Sequence, residues 1–177
     1  MKILVAYGTT EGQTRKVARF VADRLADAGH AVELLDAHDA EGLDVGRFGA
    51  AVLAGSIHGG RYQPALVELA QRNAQALSAL PGLFLSVSLS AAGEDAEEWE
   101  GIRAIAAEFA HVTGWRPGRV EHVAGAFRFG EYDYFKGWMM RRIAREKGEA
   151  VDPKRDTEYT DWAALGTAVD DWAGALA

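Results

Sequence analysis

The chain has 177 residues, 49% of them hydrophobic, which suits one domain with a sizeable core. Its net charge of −7 argues against nonspecific nucleic-acid binding, and the lack of cysteine excludes disulfides, iron–sulfur clusters and thiolate chemistry. No apolar run is long enough for a transmembrane helix and no secretory signal is present, so we expect a single cytoplasmic domain spanning 1–177.

Apolar, β-rich runs alternate with helical patterns along the chain. We predict strands at 2–7, 31–36, 49–55, 83–88 and 120–126, helices at 13–28, 64–79, 96–113 and 161–176, and a weaker turn or helix near 40–47. Several strands are apolar at consecutive positions, which is typical of parallel strands covered on both faces. The alternation predicts an α/β fold with a doubly wound, five-stranded parallel sheet. The segment 127–160 breaks this pattern and is predicted to be an insertion before the last helix.

A hydroxyl- and glycine-rich turn separates the first strand from the first helix. Backbone N–H groups and the positive end of the helix dipole meet there, so the turn can hold a phosphate. It lacks the lysine of a P-loop and the G-x-G-x-x-G of a dinucleotide site. The carboxylate of Glu11 would repel a phosphate unless it points outward, and the alternative is that Thr9 or Thr10 only caps the helix. The predicted phosphate-binding residues are Thr9, Thr10, Glu11, Gly12, Gln13 and Thr14.

Two further loops follow the third and fourth strands, beside the first strand of the predicted sheet. Their small residues permit close approach to a flat ring attached to the phosphate, and Tyr62 or His58 could pack on the ring face. The alternative is that both are ordinary glycine- and serine-rich turns, with His58 a solvated loop residue. The predicted ring-binding residues are Ser56, Ile57, His58, Gly59, Gly60, Tyr62, Ser86, Val87, Ser88, Leu89, Ser90 and Gly93.

The insertion carries a basic, aromatic amphipathic stretch at 131–147. Phe135, Trp138, Met139 and Ile143 recur at helical spacing, and arginines and lysines lie among them. Such a stretch can lie at an anionic membrane interface or cover an apolar ligand that bears carboxylates. It can equally be a helix packed on the domain with a solvated basic edge.

These motifs together resemble a known family. Residues 9–14 match the hydroxyl-x-x-Gly-x-Thr pattern by which flavodoxins hold the phosphate of FMN, and the predicted sheet is flavodoxin-like. The chain as a whole resembles the menaquinone-dependent protoporphyrinogen IX dehydrogenases, which have this fold and an insertion before the last helix. The resemblance rests on Gly12-Gln13-Thr14, Gly55-Ser56-Ile57, Ser86-Val87-Ser88-Leu89, Gly114-Trp115-Arg116-Pro117, Ala124-Gly125-Ala126 and Tyr159-Thr160-Asp161-Trp162.

The resemblance implies an FMN-dependent oxidation of protoporphyrinogen IX to protoporphyrin IX in haem synthesis, in three two-electron steps with hydride transfer towards flavin N5. Menaquinone or another quinone would accept the electrons, and the protein would be peripheral on the inner face of the cell membrane. No protein acid or base is obligatory, because the flavin supplies the chemistry. The residues implied to contact the substrate carboxylates or the membrane are Arg128, Trp138, Arg141, Arg142 and Arg145.

Two other functions remain open at the level of sequence. The acidic run at 94–98 favours an electron-transfer flavodoxin that carries electrons on FMN without a substrate of its own. Glu11 is the one feature that favours a flavodoxin-like module without FMN. We also expect Thr160 or Asp161 to cap the last helix, with Trp162 and Trp172 packing that helix on the sheet.

Overall fold

The computed structural model describes residues 1–145 and 154–176, and its centre is a sheet of five parallel strands. The strands are β1 (Lys2–Gly8), β2 (Ala31–Asp36), β3 (Ala50–Ser56), β4 (Gly82–Ser88) and β5 (Arg119–Ala124). Their hydrogen-bonded order is β2-β1-β3-β4-β5, so the winding direction reverses between β1 and β3. Ligands bind such sheets outside the carboxyl ends of the strands at this reversal. The predicted doubly wound parallel sheet is confirmed.

The register of the strands brings their carboxyl ends level with one another. Gly8 at the end of β1 pairs with Gly55, Gly55 pairs with Ser86, and Ser86 pairs with His122. The loops after β1, β3 and β4 therefore emerge side by side at one edge of the sheet.

Five helices cover the two faces of the sheet: α1 (Gln13–Asp27), α2 (Pro64–Arg72), α3 (Ala74–Ser78), α4 (Ala96–Thr113) and α6 (Trp162–Gly174). The helix predicted at 64–79 is interrupted at Asn73, whose side chain donates to the carbonyl of Leu69. Single helical turns at Ala37–Asp39 and Val45–Arg47 occupy the region of the weaker prediction near 40–47.

Each face of the sheet has its own core. On one face, α1 and α6 contribute Val17, Val21 and Trp172. On the other, α2 and α4 cover Phe84 and the fully buried Trp115, and the rings of Phe84 and Phe109 stack at 4.6 Å. Burial on both faces explains why the central strands are apolar at successive positions.

The last helix has one of the two predicted residues, Thr160 or Asp161, as its N-cap. The carboxylate of Asp161 accepts a hydrogen bond of 2.9 Å from the backbone N–H of Ala164, so Asp161 is the N-cap of α6. Trp172 packs in the core beneath the helix, and the partly buried Trp162 packs against the same core, with its ring 5.1 Å from that of Phe20 on α1.

The insertion forms a small unit of its own beside β5. The predicted strand 120–126 is two strands, because β5 ends at Ala124 and β6 (Ala126–Phe127) pairs antiparallel with β7 (Thr157–Glu158). Between them, α5 (Tyr132–Arg145) packs Phe135, Trp138 and Met139 on Leu89 and Phe127. Residues 146–153 of the predicted insertion lie outside the described residues.

None of the helices in the described part of the chain has the length and apolarity to cross a membrane.

Candidate cofactor-binding site

The turn between β1 and α1 leaves the start of the helix open to a ligand. α1 follows Gly12, which has a φ of 92°, and no side chain caps it. Thr9 Oγ1 instead accepts a hydrogen bond of 2.9 Å from Gly12 N, and Thr10 Oγ1 accepts one from Gln63. Neither threonine therefore acts as the helix cap, and the first N–H groups of α1 can bind an anion.

The hydroxyl of Thr14 is a second sign of a ligand at this turn. Its oxygen is fully buried and has no hydrogen-bond partner in the described part of the chain. A buried polar group without a partner costs about 1–3 kcal/mol, so such groups are rare. A phosphate oxygen at the turn would satisfy the hydroxyl, and the turn therefore fits a phosphate.

All three predicted loops contribute to one cavity at the carboxyl edge of the sheet. Its lining residues are Thr9, Glu11, Gln13, Thr14, Ser56, Ile57, Val87, Ser88, Leu89, Gly125, Ala126 and Phe135. The cavity encloses about 20 Å³, which is room for about one water molecule. The loops thus converge as predicted, but a flat ring needs more space than they leave.

Helix α5 is what closes the cavity. Phe135 forms part of its wall. The ring of Tyr134 stacks on His58 at 4.0 Å, and its hydroxyl accepts a hydrogen bond from the backbone N–H of Gly59. A ring system would need more space between α5 and the loop after β3 than this arrangement leaves.

The side chain of Glu11 differs from its expected direction. It lines the cavity instead of pointing outward, and its Oε1 lies 3.2 Å from His58 Nδ1. Burial raises the pKa of Glu11, and the nearby carboxylate of Glu131 raises it further, while His58 and Arg128 oppose the rise.

Not every predicted residue reaches the cavity. Tyr62 turns into the opposite core, where its hydroxyl lies 2.7 Å from Ser86 Oγ, so neither side chain faces the cavity. Gly59 and Gly60 form an exposed turn with left-handed φ angles of 60° and 75°. The Ser90 turn and Gly93 lie farther along the loop after β4, where the carbonyl of Gly93 accepts from the indole N–H of Trp99.

Gln63 is a site residue that the sequence patterns do not identify. Its side-chain amide donates to Thr10 Oγ1 at 3.0 Å and to Ser56 Oγ at 2.7 Å, and its carbonyl oxygen accepts from Ser56 N. It therefore ties the loop after β1 to the loop after β3. Its position just before Pro64, at the start of α2, is the only local signal for such a role.

Gln13 connects the phosphate turn to the insertion. Its buried side-chain amide donates to Glu158 Oε2 at 3.0 Å and to Thr160 Oγ1 at 2.9 Å. Its carbonyl oxygen accepts a hydrogen bond of 3.2 Å from Arg128 Nη2. Burial raises the pKa of Glu158, but hydrogen bonds from Trp162, Gln13 and Lys16 outweigh burial and hold the pKa below its usual value.

A larger cleft lies between the loop after β4 and α5. It encloses about 510 Å³ and is lined by Ala92, Gly93, Glu94, Asp95, Glu98, Trp138, Arg141 and Arg142. Two of the acidic side chains that line the cleft have partners within the protein. The carboxylate of Asp95 caps α4, and Glu98 Oε1 lies 3.2 Å from Arg141 Nε.

The remaining insertion arginines differ in their surroundings. The guanidinium of Arg142 lies over the rings of Trp138 and Tyr159 and donates to the carbonyl of Ala92. Arg128 lies at the phosphate turn rather than at the cleft. Arg145 ends α5, and its side chain lies outside the described residues.

Comparison with known proteins gives a consistent result. The flavodoxin domain family matches residues 4–154. Protoporphyrinogen IX dehydrogenase [quinone] of Escherichia coli K12 is 30% identical over 162 residues, covering 92% of this chain and 89% of that protein. The protein of the same name from Leishmania major is 28% identical, covering 97% and 74% of the two chains. The structure of oxidised flavodoxin 1 from Bacillus cereus superposes with a TM-score of 0.60 at 9% identity, covering all of both chains.

These matches confirm the flavodoxin-like fold. Membership of the flavodoxin domain family indicates FMN as the cofactor. The open start of α1 and the unpartnered hydroxyl of Thr14 fit the phosphate of FMN. The loops after β3 and β4 lie where its ring system would bind.

Proposed function

The chain belongs to the flavodoxin domain family and is related within it to the protoporphyrinogen IX dehydrogenases, and on this premise we propose that it oxidises protoporphyrinogen IX to protoporphyrin IX with menaquinone or another quinone as electron acceptor. The coarser assignment, an FMN oxidoreductase, follows from the family. The reaction would belong to haem biosynthesis.

The observation that carries the proposal is the cleft beside the loop after β4. Its volume of about 510 Å³ is in the range of small-molecule sites. Protoporphyrinogen is an apolar macrocycle with two carboxylates. Trp138 contributes to the lining of the cleft, and the half-exposed guanidinium of Arg141 can bind a carboxylate.

The protein's own contribution is to bind, orient and exclude water. Bound FMN supplies reversible two-electron transfer. The turn and the buried Thr14 would hold the phosphate, and α5, through Phe135 and Tyr134, covers the adjoining edge of the sheet. The apolar cluster beneath α5 keeps water from this edge.

The proposal is tested by anaerobic turnover of the FMN-loaded protein. We expect porphyrin fluorescence to appear from protoporphyrinogen IX only when a quinone is added. Arg141→Met should raise KM for protoporphyrinogen about two- to fivefold, because the exposed ion pair contributes modestly. Arg72→Met is the matched control, since Arg72 on α2 also pairs with a carboxylate but lies away from the cleft. FMN-loaded protein without quinone-dependent fluorescence would remove this substrate.

Features of the insertion also favour peripheral contact with a membrane. At the membrane the protein would encounter a lipid-soluble quinone. Phe129 and Met140 are each more than half exposed, and Lys136 and Arg141 are exposed beside them. Exposed apolar groups among cations are typical of surfaces that bind anionic lipid.

An electron carrier without a substrate is the second candidate function. Glu94, Glu97 and Glu100 are exposed at and near the start of α4, and such carboxylates suit docking to a basic reductase. Rapid reduction of the FMN by a flavodoxin reductase, with no porphyrinogen oxidation, would favour this alternative.

A further inference from the structure

The phosphate turn places a carboxylate among the donors that would bind a phosphate. The Glu11 side chain is 16% exposed and lines the cavity, and Glu131 is close enough to raise its pKa. A phosphate would add further negative charge among these carboxylates. The N–H groups of α1 and the threonine hydroxyls are neutral donors, so a cation at the turn would offset the repulsion.

Arg128 is held beside this turn by two polar contacts. Its Nη2 donates to Gln13 Oε1 at 3.2 Å, and its Nη1 lies 3.4 Å from Asp156 Oδ2. Gln13 is the first residue of α1 and lines the cavity. The Arg128 side chain is 25% exposed, and it lies near enough to Glu11 to act on the ionisation of that carboxyl.

The basic side chains of Lys16, His58, Arg141 and Arg142 lie in different surroundings. Lys16 Nζ lies 3.1 Å from Glu158, and its side chain is 59% exposed. His58 faces Glu11 directly. Arg141 and Arg142 line the cleft beneath the loop after β4. Within residues 1–145 and 154–176, Arg128 is thus the guanidinium bonded to a residue of the phosphate turn.

We propose that Arg128 is a phosphate-binding residue of the FMN site, and that it offsets the charge of Glu11. A guanidinium has five N–H donors, so the bonds to Gln13 and Asp156 leave donors for a phosphate oxygen. Arg128 follows β6, so the insertion takes part in binding the cofactor as well as in covering it. The proposal assigns Arg128 to the cofactor instead of the substrate, and it does not depend on porphyrinogen being the substrate.

The test compares FMN with riboflavin, which lacks the phosphate, on the apoprotein. Dissociation constants are measured by quenching of flavin fluorescence. Arg128→Met should weaken FMN binding about ten- to a hundredfold, as expected for a charge-assisted hydrogen bond. It should change riboflavin binding by less than about twofold, because the lost contact is to the phosphate alone. Arg128→Lys should give an FMN dissociation constant between those of the parent and Arg128→Met, since lysine retains the charge but lacks the planar set of N–H donors.

Two further variants sharpen the comparison. Glu11→Gln should tighten FMN binding without affecting riboflavin, and it should lessen the effect of Arg128→Met if the two charges are coupled. Arg155→Met is the matched control, an exposed arginine of the same insertion, and should leave both constants unchanged.

Three results would overturn the proposal. Equal weakening of FMN and riboflavin would mean that Arg128 supports the fold of the site. Unchanged FMN binding in Arg128→Met would mean that it does not reach the phosphate. If Arg128→Met does not fold, an Arg128→Lys protein with the same FMN-to-riboflavin ratio and the same salt dependence as the parent would also exclude the role.

Discussion

Tyr62 and Ser86 form a buried hydrogen bond of 2.7 Å between the approach to α2 and β4. Burial raises the pKa of Tyr62 to about 12, and the hydrogen bond between its phenol oxygen and Ser86 Oγ opposes the rise only in part. The ring packs edge-on against Phe84 and Phe109. The residue predicted to face a flavin therefore stabilises the opposite core.

Tyr62→Phe should lower the free energy of unfolding by about 1–2 kcal/mol at neutral pH, because it leaves the buried Ser86 hydroxyl without its partner. The raised pKa adds a pH dependence with a definite sign. The folded protein holds the phenol proton more tightly, so this stabilisation is present below the unfolded pKa of about 10 and is lost as pH rises to about 12.

Urea unfolding of both proteins across that pH window measures the effect. The parent should lose stability more steeply than Tyr62→Phe between about pH 10 and pH 12. Tyr134→Phe, which changes an exposed tyrosine, serves as the control. Parallel curves for the parent and Tyr62→Phe would contradict the account.

Individual site residues differ in how well the sequence predicts them. The donors of the phosphate turn lie within six consecutive positions, 9–14, so their spacing alone predicts the site. Glu11 and Gln63 differ because their directions depend on partners far along the chain. His58 draws Glu11 into the cavity, and Gln63 bonds a threonine 53 positions away. Local patterns carry no information on such contacts.

At the scale of elements, α5 contributes to the wall of the cofactor site. It rests on a small apolar cluster and contacts the loop after β3 through the stack of Tyr134 on His58. A helix held by so few contacts opens at lower free-energy cost than the central strands. Binding of FMN is therefore expected to be limited by how often α5 separates from the loop.

Tyr134→Ala should accelerate association of FMN with the apoprotein by about two- to tenfold, because an aromatic stack contributes about 0.5–1.5 kcal/mol to the closed arrangement. Stopped-flow quenching of flavin fluorescence gives the rate constant. Phe129→Ala is the control, since Phe129 is an exposed aromatic residue of the same insertion. An association rate equal to or below that of the parent would show that α5 does not limit entry.

Sequence patterns predict most of the helices and strands but not all of their boundaries. Continuous apolar strands and amphipathic helices were predictable, and the five parallel strands follow them. The division of the fifth predicted strand was not, because Ala126 pairs antiparallel with Glu158, 32 positions later. The break at Asn73 was missed since composition does not reveal that the Asn73 side chain also bonds to the carbonyl of Leu69.

At the scale of the whole molecule, charge and exposed apolar surface are unevenly distributed. The chain has a net charge of −7, yet the insertion exposes Met140 and Phe129 beside Lys136 and Arg141. Exposed apolar and basic groups on the insertion would orient the protein on an anionic bilayer. That orientation would place the cleft between α5 and the loop after β4 near the lipid.

We expect the protein to sediment with vesicles that contain phosphatidylserine, and less so as salt is raised. Met140→Asp should weaken this binding about fivefold or more, since it adds a like charge at the contact. Val112→Asp, an exposed apolar position on α4, should have little effect. Equal binding to neutral and anionic vesicles, or equal loss in both variants, would exclude contact through the insertion.

The insertion leaves the sheet and returns to it at nearly the same point. Tyr159 N donates to the carbonyl of Gly125, and Thr160 Oγ1 donates to the carbonyl of Ala124. These two hydrogen bonds fix both ends of the insertion beside each other. The length of chain between them can therefore change at little entropic cost and without distorting β5 or α6. The junction therefore tolerates additions and deletions of residues between its two ends, and the sheet and the last helix keep their positions while that length varies.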